Sequence, residues 1–74
     1  MHYKPLVMVK AGESAHIAGV DGGRHLRARL AAMGLNPGAL VRVIANSLHG
    51  PFIVALGETR LALGRGMAHK ILVQ

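Results

Sequence analysis

Five histidines, His2, His16, His25, His49 and His69, are the residues of this 74-residue chain best suited to hold a metal. Zinc motifs set two ligands close together, as in His-x3-His on a helix. Here successive histidines are 14, 9, 24 and 20 residues apart. Asp21, four residues before His25, is a carboxylate at helical spacing from a histidine, and it is also placed to cap a helix. No metal site and no cofactor are expected from this pattern. With no cysteine, disulfides, iron–sulfur clusters and cysteine-based zinc sites are excluded. Catalysis has little to work with. Ser14, Ser47, Thr59, Asp21, Glu13 and Glu58 are all the hydroxyl and carboxylate side chains apart from Tyr3, and no nucleophile elbow surrounds either serine. The chain reads as a non-enzyme. Gly64-Arg65-Gly66 pairs glycines around a base, but no Gly-Lys-Ser/Thr follows. It reads as a loop needing positive φ rather than a phosphate cradle.

Charge and apolarity leave binding as the remaining role. Nine Lys+Arg against three Asp+Glu give a net charge of +6. Such a balance suits nucleic acid or an acidic protein surface. A helix-turn-helix needs a supporting helix before the recognition helix, and single-strand binders need stacking aromatics. The chain offers one clear helix, and its only aromatics are Tyr3 and Phe52. A protein partner is therefore preferred over nucleic acid. Apolar residues make up 51% of the chain, more than a domain this small hides completely. Leu48 and Met67, in loops, are candidates for exposed docking positions, with folding back as lids the alternative.

The elements that must position these residues are short. Ser14 to Val20 reads as a strand closed by Asp21-Gly22-Gly23. Residues 24–33 read as a helix, with Leu26, Leu30 and Met33 on one side and Arg24, Arg27, Ala28 and Ala31 on the other. Asp21 is the expected N-cap. Gly34 fits the left-handed position after the helix, with Leu30 and Leu35 as the apolar pair of a Schellman ending and Pro37-Gly38 beyond. Leu40 to Ala45, Phe52 to Leu56, Thr59 to Leu63 and Lys70 to Val73 read as strands. Gly57-Glu58 has the composition of a type II′ hairpin turn. That turn pairs Leu56 with Thr59, Val54 with Leu61 and Phe52 with Leu63 on one face, and Ala55 with Arg60 and Ile53 with Ala62 on the other. The expected architecture is mainly β with one inserted helix, at about residues 22–34, in a small SH3-like barrel spanning 1–74 as a single domain. No stretch reaches the ~20 apolar residues of a membrane helix, and the N-terminus does not read as a signal peptide, so the cytoplasm is the expected location.

Several stretches together resemble the ferrous iron transport protein A (FeoA) family. They are Leu30-Ala31-Ala32-Met33-Gly34-Leu35-Asn36-Pro37-Gly38, Val41-Arg42-Val43-Ile44, Leu48-His49-Gly50-Pro51 and Leu61-Ala62-Leu63-Gly64-Arg65-Gly66-Met67-Ala68, with the Gly12-Glu13 opening also similar. The resemblance implies an SH3-like barrel and a small cytoplasmic accessory protein of bacterial ferrous iron uptake. It implies FeoB as partner, a membrane transporter with a cytoplasmic GTP-binding domain, with peripheral residence at the inner membrane through it and self-association as a further option. The iron-dependent repressors of the diphtheria toxin repressor type share the fold, which makes a metal-sensing domain an alternative beside a nucleic-acid-binding barrel. No catalytic or iron-ligand residues carry over. Leu30, Met33, Gly34, Pro37 and Gly38 read as structural. Arg27, Leu48, His49, Pro51 and Met67 are the expected partner-binding residues.

Overall fold

The computed structural model describes residues 2–74. Its strands are β1 (Lys4–Pro5), β2 (Ser14–Val20), β3 (Leu40–Asn46), β4 (Phe52–Leu56), β5 (Thr59–Leu63) and β6 (Ile71–Val73). Helix α1 (Arg24–Ala32) joins β2 to β3, helix α2 (Arg65–Lys70) joins β5 to β6, and a 3-10 turn, Leu6–Met8, follows β1. The strands form one antiparallel sheet in the order β1-β6-β2-β3-β4-β5. The mainly-β architecture read from the sequence is the one observed, as a single six-stranded antiparallel sheet.

β2 is the corner of this sheet. Its first half, Ser14 to His16, pairs with β3, and its second half, Ile17 to Val20, pairs with β6. Irregularities at Ile17/Gly19 and at Val43/Ala45 sharpen the local bend. Alternate residues therefore converge on one interior. Ala15, Ile17, Val41, Val43, Phe52, Val54, Leu63, Ile71 and Val73 are buried there with Leu6, Val9, Leu30, Leu35 and Ala68. No polar or charged residue is buried among the described residues.

The β4–β5 hairpin has the register that its turn dictates, from Leu56↔Thr59 to Phe52↔Leu63. Gly57 has φ +61° and Glu58 is not among the residues with positive φ, which suits a type II′ turn and excludes I′. Helix α1 lays Leu30 into the core, with Leu26 and Met33 half-buried beside it. Arg24, Arg27, Ala28 and Ala31 are exposed. Gly34 follows the helix at φ +84°, where Leu35 N–H donates to Leu30 C=O at 2.9 Å and Gly34 N–H to Ala31 C=O at 3.0 Å. These are the two bonds of a Schellman ending. Asn36-Pro37-Gly38-Ala39 then turns the chain into β3, closed by Ala39 N–H to Asn36 C=O at 3.0 Å with Gly38 at φ +92°. Proline then glycine at the central positions is the type II pattern.

Gly34→Ala is expected to destabilise the fold by about 1–2 kcal/mol, because a Cβ is disfavoured at positive φ. The added methyl would also sit 2.8 Å from Leu56 Cδ2. A thermal melt of the variant against the parent checks this.

Three expectations are corrected. Asp21 does not cap α1: the N-cap is Gly23, which offers no side chain, and Asp21 N–H is instead bonded to Lys70 C=O at 2.7 Å beside the β2–β6 pairing. Residues 64–68 are not a loop. Gly64, with φ −65°, is the N-cap of α2, and neither Gly64 nor Gly66 has positive φ. A second helix thus joins the one expected, because burying Ala68 outweighs the poor helix propensity of Gly66. The ordered N-terminal strand and 3-10 turn, which contribute buried Leu6, also carry no periodic pattern to announce them.

Candidate functional site

The 47–51 loop leaves the sheet between β3 and β4 and carries Leu48, the most exposed large apolar side chain among the described residues, at 86% exposure. Ser47, His49 and Pro51 beside it are also exposed. Burial of Phe52 fixes one stem of the loop and Asn46 fixes the other.

Asn46 is a junction. Its carboxamide Nδ2 donates to Val7 C=O at 2.9 Å and to Val9 C=O at 2.8 Å, tying the end of β3 to the N-terminal 3-10 turn. Its Oδ1 accepts from Arg65 Nη1 at 3.0 Å. Arg65 Nη2 in turn donates to Ser47 C=O, the first residue of the loop. The Arg65 guanidinium also lies over the Phe52 ring, 5.8 Å from its centroid, within cation–π range. Its Nε is enclosed without a partner. Three separated segments therefore meet at the base of the loop. The result is a fixed platform from which Leu48 projects. A loop whose base is already held loses less entropy on binding than a free one.

No sequence signal singles out Asn46, and Arg65 reads from the sequence as a basic residue between glycines. Nothing local marks either role, since the partners of Asn46 lie 37 and 39 residues away in sequence.

The five expected partner-binding residues fall in different places. Leu48, His49 and Pro51 form the loop. Met67 lies on α2, two residues from Arg65, half-buried against the core. Arg27 is exposed on α1. The end of that helix packs at Leu56, the opposite end of β4 from the loop. Met8, in the 3-10 turn between the two carbonyls held by Asn46, adds a further apolar side chain at 63% exposure.

Among the described residues no three of His, Asp or Glu come together as a metal site. All five histidines are exposed. No helix among them is long and apolar enough to cross a membrane.

Comparison with known proteins agrees with this architecture. The sequence matches the FeoA domain over residues 4–74. It is 39% identical over 70 residues to a protein of Methanocaldococcus jannaschii named as an Fe(2+) transport protein A, covering 95% of this chain and 84% of that one. A crystal structure of an iron uptake regulatory protein, FeoA, superposes with a TM-score of 0.87 at 32% identity, covering 100% of this chain and 97% of the other. A manganese-dependent transcriptional repressor matches with a TM-score of 0.83 at 23% identity. That match covers 96% of this chain but 40% of the repressor, and it shows a shared fold.

Proposed function

The chain belongs to the FeoA domain family, and from that premise we propose that it docks on FeoB, the ferrous iron transporter of the membrane, and modulates its assembly or activity. The family is linked to ferrous iron transport as a non-enzymatic accessory protein. The observation that carries the docking is Leu48, 86% exposed on a loop whose base is pinned by Arg65 and Asn46. An apolar side chain so placed has its desolvation gain still to come, which is how an interface anchor works. His49 and Pro51 border it, and Met67 supports the same end of the molecule from α2. Arg27 makes a separate, electrostatic contact from the α1 face. Residence at the inner membrane, on its cytoplasmic side, follows from this partner.

The test is a titration against the purified cytoplasmic GTP-binding domain of the cognate FeoB at physiological salt, with RNA as a parallel ligand. Saturable binding to FeoB but not RNA is the expected outcome. Binding to RNA alone, falling steeply with salt, would make the basic surface the functional one instead. Silence toward both moves the same titration to the intact transporter, where silence again would end the proposal.

A further inference from the structure

The sheet does not close through its outermost strands: β1 and β5 stand at its two ends and do not pair. β5 is the longer of the two, at five residues. Its hairpin geometry determines which backbone groups it leaves free. A two-residue turn makes its closing pair, Leu56 and Thr59, a hydrogen-bonded pair. Along an antiparallel ladder bonded and non-bonded pairs alternate. Leu61 and Leu63 therefore turn their N–H and C=O toward β4, while Arg60 and Ala62 turn theirs away from the sheet. No other segment bonds to the Arg60 or Ala62 backbone among the described residues.

The side chains beside this edge have a definite chemistry. Arg42 pairs with Ala55 and Ala55 with Arg60, so the three form one row across β3, β4 and β5 on the outer face. The two arginine backbones stand about 10 Å apart across two strand spacings, with only a methyl group between them. Both arginines are exposed, and neither guanidinium has a hydrogen-bond or ion-pair partner among the described residues. On the opposite face of β5, Leu61 is half-buried, with room for further cover.

We propose that the free edge of β5 accepts an extended acidic strand from a partner protein, by backbone bonds at Arg60 and Ala62. This goes beyond docking through the 47–51 loop and does not depend on it. In such an added strand, the residue opposite Arg60 projects onto the outer face, in line with the Arg42–Ala55–Arg60 row. Aspartate or glutamate there meets Arg60 directly and lies in the field of Arg42. The residues on either side project to the Leu61 face, where an apolar or β-branched side chain completes the cover. The recognised pattern is thus alternating acidic and apolar, read by the pleat. Charge selects this occupant over a second copy of the chain. Each copy carries +6 and just three carboxylates, so pairing like with like opposes the association. In one of the symmetric registers Arg60 would face its own equivalent, which is unfavourable.

The experiment is amide hydrogen exchange of the full chain with a nine-residue peptide alternating glutamate with valine and threonine. Its controls are a peptide of the same composition with the glutamates in one block, and polyuridylate. The expected result is slowing of the Arg60 and Ala62 amides by about tenfold or more with the alternating peptide alone. Arg60→Glu is expected to weaken that peptide by about tenfold by replacing attraction with repulsion. Ala62→Pro removes an edge donor that the native ladder does not use, and is expected to abolish binding while leaving the fold intact. Unchanged exchange at both amides overturns the proposal. Equal slowing by the block peptide or polyuridylate reduces the edge to a general cation surface and overturns it as well. So does slowing without peptide that grows with protein concentration together with a doubling of mass, since a second copy then covers the edge.

Discussion

Replacing Asn46 with alanine is expected to cost about 2–4 kcal/mol, lowering the melting temperature by about 10–20 °C in a domain of this size. Each part of this cost has a physical source. The carboxamide supplies the donors for Val7 and Val9 C=O, and its oxygen accepts a hydrogen bond from the Arg65 guanidinium. Alanine strips a partner from each of these groups in a part-buried setting, where an unpaired polar group costs more than a bond contributes. The damage is also directional. The N-terminal segment carrying Leu6 and Val9 would detach first, and exchange at Val9 N–H, which bonds to Leu6 C=O at 3.0 Å, would rise before that of the β4–β5 ladder. Asn46→Asp separates the two halves of the junction, since it keeps an acceptor for Arg65 while removing both donors. A double-mutant cycle with Arg65→Ala should be markedly non-additive, because the two residues share one network. A melting temperature within a few degrees of the parent would mean that water replaces the carboxamide and that the junction is dispensable.

That junction also marks where the sequence stops being readable. The β4–β5 register follows from Gly57-Glu58 and the alternation on either side of it, because turn and side-chain pattern both act over neighbouring residues. The end of α1 is legible for the same reason, Leu30, Gly34, Leu35 and Pro37 lying within two turns of one another. Asp21 misled because a carboxylate near a helix start is a good cap in isolation. Tertiary pairing with Lys70 took its backbone into the sheet and moved the helix start to Gly23. α2 was hidden by Gly64 at its N-cap and Gly66 within it, and the poor helix propensity of Gly66 is overridden by burying Ala68. The fixed base of the loop was invisible because its bonds join segments far apart in sequence, and a lone asparagine after a strand gives no periodic signal. The exposure of Leu48 follows from that hidden base. Composition left both an exposed and a folded-back leucine open, and the structure presents it outward while Met67 packs partly inward.

The position of Leu48 leads to the second large effect. Leu48→Asp is expected to weaken binding to the FeoB cytoplasmic domain by about 30–100-fold, some 2–3 kcal/mol, as loss of a central apolar anchor does. The same change should alter stability by no more than about 0.5 kcal/mol, the usual range for a surface site, since Leu48 is 86% exposed and belongs to none of the core contacts. The separation of the two effects is what makes the test decisive. Asn46→Ala would lower binding too, but by loosening the platform, and its melting temperature would reveal it. Leu48→Asp leaves the platform intact and changes only what it presents. Arg27→Glu provides the complementary comparison. An exposed rim charge acts mainly on the association rate and fades with salt, so its effect should be smaller, should appear as slower binding, and should shrink as ionic strength rises. A loss confined to Leu48→Asp would place the partner on the loop alone. A loss in both variants would require a partner that spans from the loop to the α1 face, and unchanged affinity in both would remove FeoB from this surface altogether.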